Sequence, residues 1–175
     1  NAIRATHRSD DGEAQALLQT AREAAAEMVA EARQYPDVYF AGYTQDALKE
    51  LAEAHITRAI ILDEQLPTPE SLNVENAAYL NGLAEAAGEL RRFALDALRR
   101  GDVSQAEKLL QQMEEIYSVL VTVDFPDAIT SGLRRTTDIV RSILERTRGD
   151  VTTAVRQEAM KAALQQFEKR VGMGD

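Results

Sequence analysis

Glu50 with Glu53, and Glu85 with Glu89, are the residues of this chain whose types and spacing could do chemistry. A separation of three or four residues puts both members of a pair on one side of a helix. If the two helices face each other, four carboxylates converge on a volume suited to a hard divalent cation. Ligation by oxygen alone fits magnesium, manganese or calcium. Clustered carboxylates repel one another, and a cation relieves that repulsion. It can also orient and deprotonate a water and neutralise charge on a phosphate under attack.

Composition removes the competing chemistries. The chain has no cysteine, which excludes disulfides, zinc-thiolate sites and a thiol nucleophile. Its two histidines, His7 and His55, are too few for a multi-histidine zinc site within one chain. The Glu-x-x-His pairs of di-iron bundles are missing, as are a Walker loop, Gly-x-Gly-x-x-Gly and Gly-x-Ser-x-Gly. The net charge of -9 argues against broad nucleic-acid binding. The arginines are nevertheless clustered, at Arg91-Arg92, Arg99-Arg100 and Arg134-Arg135, then Arg141, Arg146 and Arg148. Ion pairing on solvated faces accounts for most of them, and a basic stripe on one face remains compatible with an acidic whole.

Length and an alanine-, leucine- and glutamate-rich composition predict one domain over residues 1–175, an all-α antiparallel bundle of about six to seven helices. Residues from Ala2 already read as helical, so the N-terminal helix is expected to be cut short. Asp10 or Asp11 caps a helix over 13–33, which Tyr35-Pro36-Asp37 ends. A second helix covers 38–62, with Ile60-Ile61-Leu62 the only strand-like run, and 64–73 is a proline loop. The third helix covers 74–99 and is closed by Gly101. Asp102 or Ser104 caps the fourth, which reaches Leu120 and breaks at 124–127. A fifth ends at Gly149, and the last runs 151–171 before a tail at 172–175. No apolar stretch approaches the ~20 residues of a membrane span, and no signal peptide is visible, so a cytoplasmic protein is expected.

Helical periodicity by itself speaks against a site. On the second helix Leu48, Leu51, His55 and Leu62 lie opposite Glu50 and Glu53, at about 100° per residue. On the third, Leu80, Leu83, Ala87, Leu90 and Ala94 lie opposite Glu85 and Glu89. Solvated glutamates on the outer faces of core helices are the plain reading. Against it, the acidic face of the third helix carries Ala78, Gly82 and Ala86, which would let another backbone come close. His55 reads as a core or interface histidine. His7, with Arg4 and Arg8, reads either as touching a phosphate backbone or as an exposed end. For Tyr35, Tyr39, Phe40 and Tyr43 core packing is favoured over base stacking.

At these residues the chain resembles the translin/trax family, specifically its catalytic trax branch and the single-subunit archaeal members. The trax element Leu-Gln-Glu-Tyr-x-Glu-Ala is matched by Leu48-Lys49-Glu50-Leu51-Ala52-Glu53-Ala54. Tyr-Leu-x-Gly-x-x-Asp-x-x-Gly-Glu-Leu-x-Arg is matched by the run from Tyr79-Leu80-Asn81-Gly82 through Glu85 to Gly88-Glu89-Leu90-Arg91-Arg92. The similarity covers about Ala2 to Gly149. It implies an all-helical fold, assembly into a hollow homo-octameric shell, and endonucleolytic cleavage of single-stranded RNA with Mg2+ or Mn2+.

Carried over by position, Glu50, Glu53, Glu85 and Glu89 would be the metal-binding and catalytic residues, and Arg92 matches the arginine of its helix. Arg4, Arg8, Arg91, Arg92, Arg134 and Arg135 are the candidates for the nucleic-acid backbone. Glu85 stands where the family usually has aspartate, one methylene shorter, which puts the cation's position in doubt. Carboxylates opposite a packing stripe are what the inner wall of a wet shell requires. A non-catalytic oligomer binding single-stranded RNA or DNA, like the translin branch, is the alternative, and a scaffold bundle that binds neither is the third reading.

Overall fold

Caps and apolar faces divide the chain, seen here in a computed structural model that describes residues 1–172, into helices only. Among the described residues these are α1 (Ala2–His7), α2 (Asp11–Ala32), α3 (Pro36–Tyr39), α4 (Gly42–Ile61), α5 (Pro69–Leu72), α6 (Asn76–Arg99), α7 (Val103–Leu120), α8 (Asp127–Thr130) and α9 (Leu133–Val171). Five are long, α1 has six residues, and α3, α5 and α8 are single turns of four. From residue 173 the predicted tail lies outside the described residues. No described helix is long and apolar enough to cross a membrane.

Local chemistry sets most boundaries. The Asp10 carboxylate accepts from the Glu13 N–H at 3.1 Å, and the Asp102 carboxylate from the Gln105 N–H at 3.0 Å, each satisfying an orphan donor of a first turn. Gly101 adopts φ +79°, the left-handed conformation that lets the chain leave α6, and Asp102 N–H closes back on the Ala97 carbonyl at 2.9 Å.

Four details depart from the periodicity. Residues 36–39 form a separate turn, so the second long helix begins at Gly42. The proline loop contains α5, and Asn73 leaves it at φ 56°. Leu62 is exposed beyond the end of α4, while Ile56 and Thr57 are buried. Tyr39 alone of the aromatic cluster is buried; Tyr35, Phe40 and Tyr43 face solvent.

The expected break at Gly149 does not occur, because α9 continues through it as one helix of 39 residues. Arg91 on α6 donates to Thr147 Oγ1 at 2.8 Å and pairs with Asp150 at 2.9 Å, one contact on each side of the glycine. The buried face then carries on to Val151. Beyond Ala154 every side chain of α9 is exposed, including Met160, Leu164, Phe167 and Val171, on an arm roughly 25 Å long.

α6 is the central helix and packs against α4, α7 and α9. Leu83, Ala84, Ala86, Ala87 and Leu90 are all buried, so its covered surface extends well around the axis. Toward α4 the contact is made by small residues. A Cβ on Gly82 would stand 2.7 Å from the Lys49 carbonyl oxygen and 2.9 Å from the Glu53 nitrogen. That close approach, in the middle of both acidic motifs, sets the spacing of the glutamates.

The residue before Gly82 ties α6 to the start of α9. Asn81 is buried; its Nδ2 donates to the Thr130 and Ala77 carbonyls, both at 2.9 Å, and its Oδ1 accepts from Thr136 Oγ1 at 3.0 Å. Asn81→Ala leaves two of these partners without their bond. Urea unfolding is expected to show a loss of about 1–3 kcal/mol.

Candidate metal centre and its cleft

Glu50 and Glu53 stand on successive turns of one face of α4, and Glu85 and Glu89 on one face of α6. With the two backbones in contact at Gly82, one carboxylate oxygen each from Glu50, Glu53 and Glu85 lies within 4.8 Å of the other two. Glu50 is exposed, Glu85 half-buried, and Glu53 only 9% accessible. Burial is the largest cause that pushes the Glu53 carboxyl up to about 7, followed by the negative charges of Glu85, Glu50 and Glu89; Lys49 opposes them. Among the described residues Glu50 and Glu53 make no side-chain hydrogen bond or ion pair. Three converging carboxylates, one of them unpaired and desolvated, are a donor set that fits a hard divalent cation.

Two nitrogen donors of the protein already attend the cluster. Lys49 Nζ is 2.9 Å from Glu85 Oε1 and 3.6 Å from Asp46. Its hydrogen bond to Glu85 raises the ammonium above its ordinary range against the cost of burial. On the other side His7 Nε2 stands 2.7 Å from Glu89 Oε2. Glu89 therefore borders the trio but is held by α1.

The four glutamates line a cleft of about 760 Å³ between α1, α4, α6 and α9. Arg4, Arg92 and Arg135 line it with Glu50, Glu53, Glu85 and Glu89, and Ile139 and Ile143 form an apolar wall. Three other arginine candidates are paired elsewhere. Arg8 is bonded to Glu13, Arg91 to Asp150 and Thr147, and Arg134 to Asp124 at 3.3 Å. His7 is not an exposed end; its side chain is 7% accessible and faces Glu89.

Lys49 and His7 are the site residues that the spacing did not single out. Lys49 had a signal, since it precedes Glu53 by four residues and so shares its side of the helix. His7 had none, because its partner lies 82 residues away. His55 sits as expected among packed residues, outside the cleft; burial first, then Arg22 and Arg58, lowers its imidazole below the ordinary range.

No family model matches the chain. It is 33% identical over 136 residues to an uncharacterized protein of Methanocaldococcus jannaschii, over 77% of this chain and 59% of that one. The chain thus spans less than two thirds of that relative's length. Among solved structures it resembles AfC3PO in a complex with duplex RNA, at TM-score 0.80 and 39% identity over 89% of this chain and 81% of that chain. AfC3PO alone gives TM-score 0.80 at 38% identity. Apo-NeC3PO gives 0.79 at 25% identity over 87% of this chain. Identity near two residues in five, sustained along most of a chain with the same helical fold, is kinship rather than shared architecture, and this chain belongs to the translin/trax family of C3PO proteins.

Proposed function

We propose that the chain is a trax-like, metal-dependent endoribonuclease that cuts RNA, single-stranded RNA above all, inside a homo-oligomeric helical shell in the cytoplasm. The observation that carries this reading is the convergence of the Glu50, Glu53 and Glu85 oxygens within 4.8 Å in a cleft bordered by arginines. The RNA complex of AfC3PO supports the substrate class. The exposed Met160, Leu164, Phe167 and Val171, at the 4-3-4 spacing of a helix-pairing seam, support assembly.

Glu50, Glu53 and Glu85 would hold the Mg2+ or Mn2+, and Glu89 completes the acidic set at the border of the trio. Bound there, the ion would supply charge neutralisation at the scissile phosphate and an acidified water. Arg4, Arg92 and Arg135 meet the phosphate backbone. Glu89 accepts the proton of the attacking water as its oxygen bonds to phosphorus; the P–O bond to the leaving sugar breaks, and that oxygen takes a proton from solvent.

The test is cleavage of single-stranded and duplex RNA with magnesium or manganese. Glu89→Ala is expected to lose about 100-fold or more, and equal rates for the two proteins would remove Glu89 from the mechanism. One observation favours the alternative, a non-catalytic RNA- or single-stranded DNA-binding oligomer: Lys49 already neutralises part of the cluster. That reading predicts salt-sensitive binding with no metal-dependent product. A stable monomer by mass measurement in solution would refute the shell.

A further inference from the structure

Glu89 is gripped from a distant part of the chain in a way the acidic motif does not require. His7 reaches it from the last turn of α1, with Nε2 at 2.7 Å from Oε2. A carboxylate only accepts, so Nε2 carries the hydrogen and donates. The imidazole lies flat on Phe93, ring centroids 3.8 Å apart at an interplanar angle of 12°. Phe93 is on α6, one turn after Glu89, so both surfaces that fix the histidine belong to the helix it serves. Its Nδ1 is buried and has no hydrogen-bond partner among the described residues. The ring therefore has a single polar engagement, and that engagement is Glu89. α1 itself is anchored by buried Ala5 and Thr6 against α2 and α4.

We propose that His7 is a positioning residue, which holds Glu89 by one oxygen at the edge of the Glu50, Glu53 and Glu85 cluster and leaves the other oxygen for the water. The inference rests on the endonuclease reading of the site. α1, which also brings Arg4 and Ile3 to the cleft, is then part of the working site rather than a terminal ornament. Ion binding and Glu89 orientation become separable: the trio governs the first and His7 the second.

Three proteins separate the roles: wild type, His7→Phe, which keeps an aromatic ring on Phe93 but lacks the donor, and His7→Gln, whose amide nitrogen can take the place of Nε2. Mn2+ affinity is read by electron paramagnetic resonance of the free ion, and kcat and KM by RNA cleavage. His7→Phe is expected to bind Mn2+ within about threefold of wild type, with kcat lowered about 10- to 100-fold at little change in KM, the range for losing a group that orients an active-site carboxylate. His7→Gln is expected to recover most of kcat. Thermal melts confirm that all three are folded.

A kcat for His7→Phe equal to wild type, or a His7→Gln no better than His7→Phe, overturns the proposal. So does a fall in Mn2+ affinity that matches the fall in kcat, because His7 would then serve the ion site. If wild type binds no Mn2+ and makes no product, the endonuclease reading fails, and this inference with it. In the metal-free protein, long-range 1H–15N spectra are expected to show His7 as the Nε2–H tautomer, and Glu89→Met to abolish that preference; a wild-type Nδ1–H tautomer also overturns the proposal.

Discussion

Glu53→Gln is expected to abolish metal-dependent RNA cleavage and, in the same protein, to raise the melting temperature of the metal-free form at pH 8. The two outcomes have one cause. The fold holds the Glu53 carboxyl at about 7 against an ordinary 4.5, so the native state favours the protonated form. Stability tied to this group is fully present below pH 4.5, falls as pH rises, and is lost above about 7. The displacement from 4.5 to about 7 corresponds to about 3 kcal/mol. Glutamine keeps the size and carries no charge at any pH, so it escapes that cost, by roughly 2–4 °C per kcal/mol in a chain of this length. Melts of both proteins at pH 5 and pH 8 are the check: the difference should open at pH 8 and close at pH 5. A divalent ion reverses the preference, because ligands bind it deprotonated. Mn2+ affinity of the wild type should therefore climb from pH 5 toward pH 7 and level off above.

The second large effect is expected at Gly82, which carries no functional group. A mid-helix Gly→Ala change ordinarily stabilises by up to about 1 kcal/mol. Here the new methyl would meet the Lys49 carbonyl at 2.7 Å, the Glu53 nitrogen at 2.9 Å and the Ala52 Cβ at 3.0 Å. Two of those atoms are backbone, so α4 must move away from α6. A net loss of about 1–3 kcal/mol is expected in denaturant unfolding, with weaker Mn2+ binding because Glu85 parts from Glu50 and Glu53. Gly149→Ala is the control. Nothing lies within 4 Å of its added Cβ, and it should stabilise α9 by a few tenths to about 1 kcal/mol.

These two glycines show where the sequence could be read and where it could not. Asp10, Asp102 and Gly101 were legible because a cap is a local device, complete within four residues. Gly149 looked like a helix end by the same logic, but glycine stops a helix only where the backbone turns left-handed. Arg91, reaching across from α6 to Thr147 and Asp150, and the burial of Val151 in the core hold this one helical. The glutamates posed the opposite difficulty. Leucine stripes on both helices pointed away from them, and leucines are the ordinary mark of a packed face. α6 is covered on other sides as well, and its α4 side is built from Ala78, Gly82 and Ala86, whose close approach places Glu53 in the interface. The small residues were the signal, weaker to the eye than the leucines but decisive. The clasp of His7 on Glu89 joins positions 82 apart and leaves no periodic trace.

The Lys49–Glu85 pair has a bearing on stoichiometry. Fully ionised, Glu50, Glu53 and Glu85 together with the Lys49 ammonium sum to two negative charges, which one divalent ion cancels. The lysine also holds Glu85 in place while no ion is bound, so one carboxylate of the trio is already set before an ion arrives. A second ion would find only Glu89 and the phosphates of a bound strand to answer its charge. On the endonuclease reading, occupancy beyond one ion per protomer is expected only in the complex with RNA.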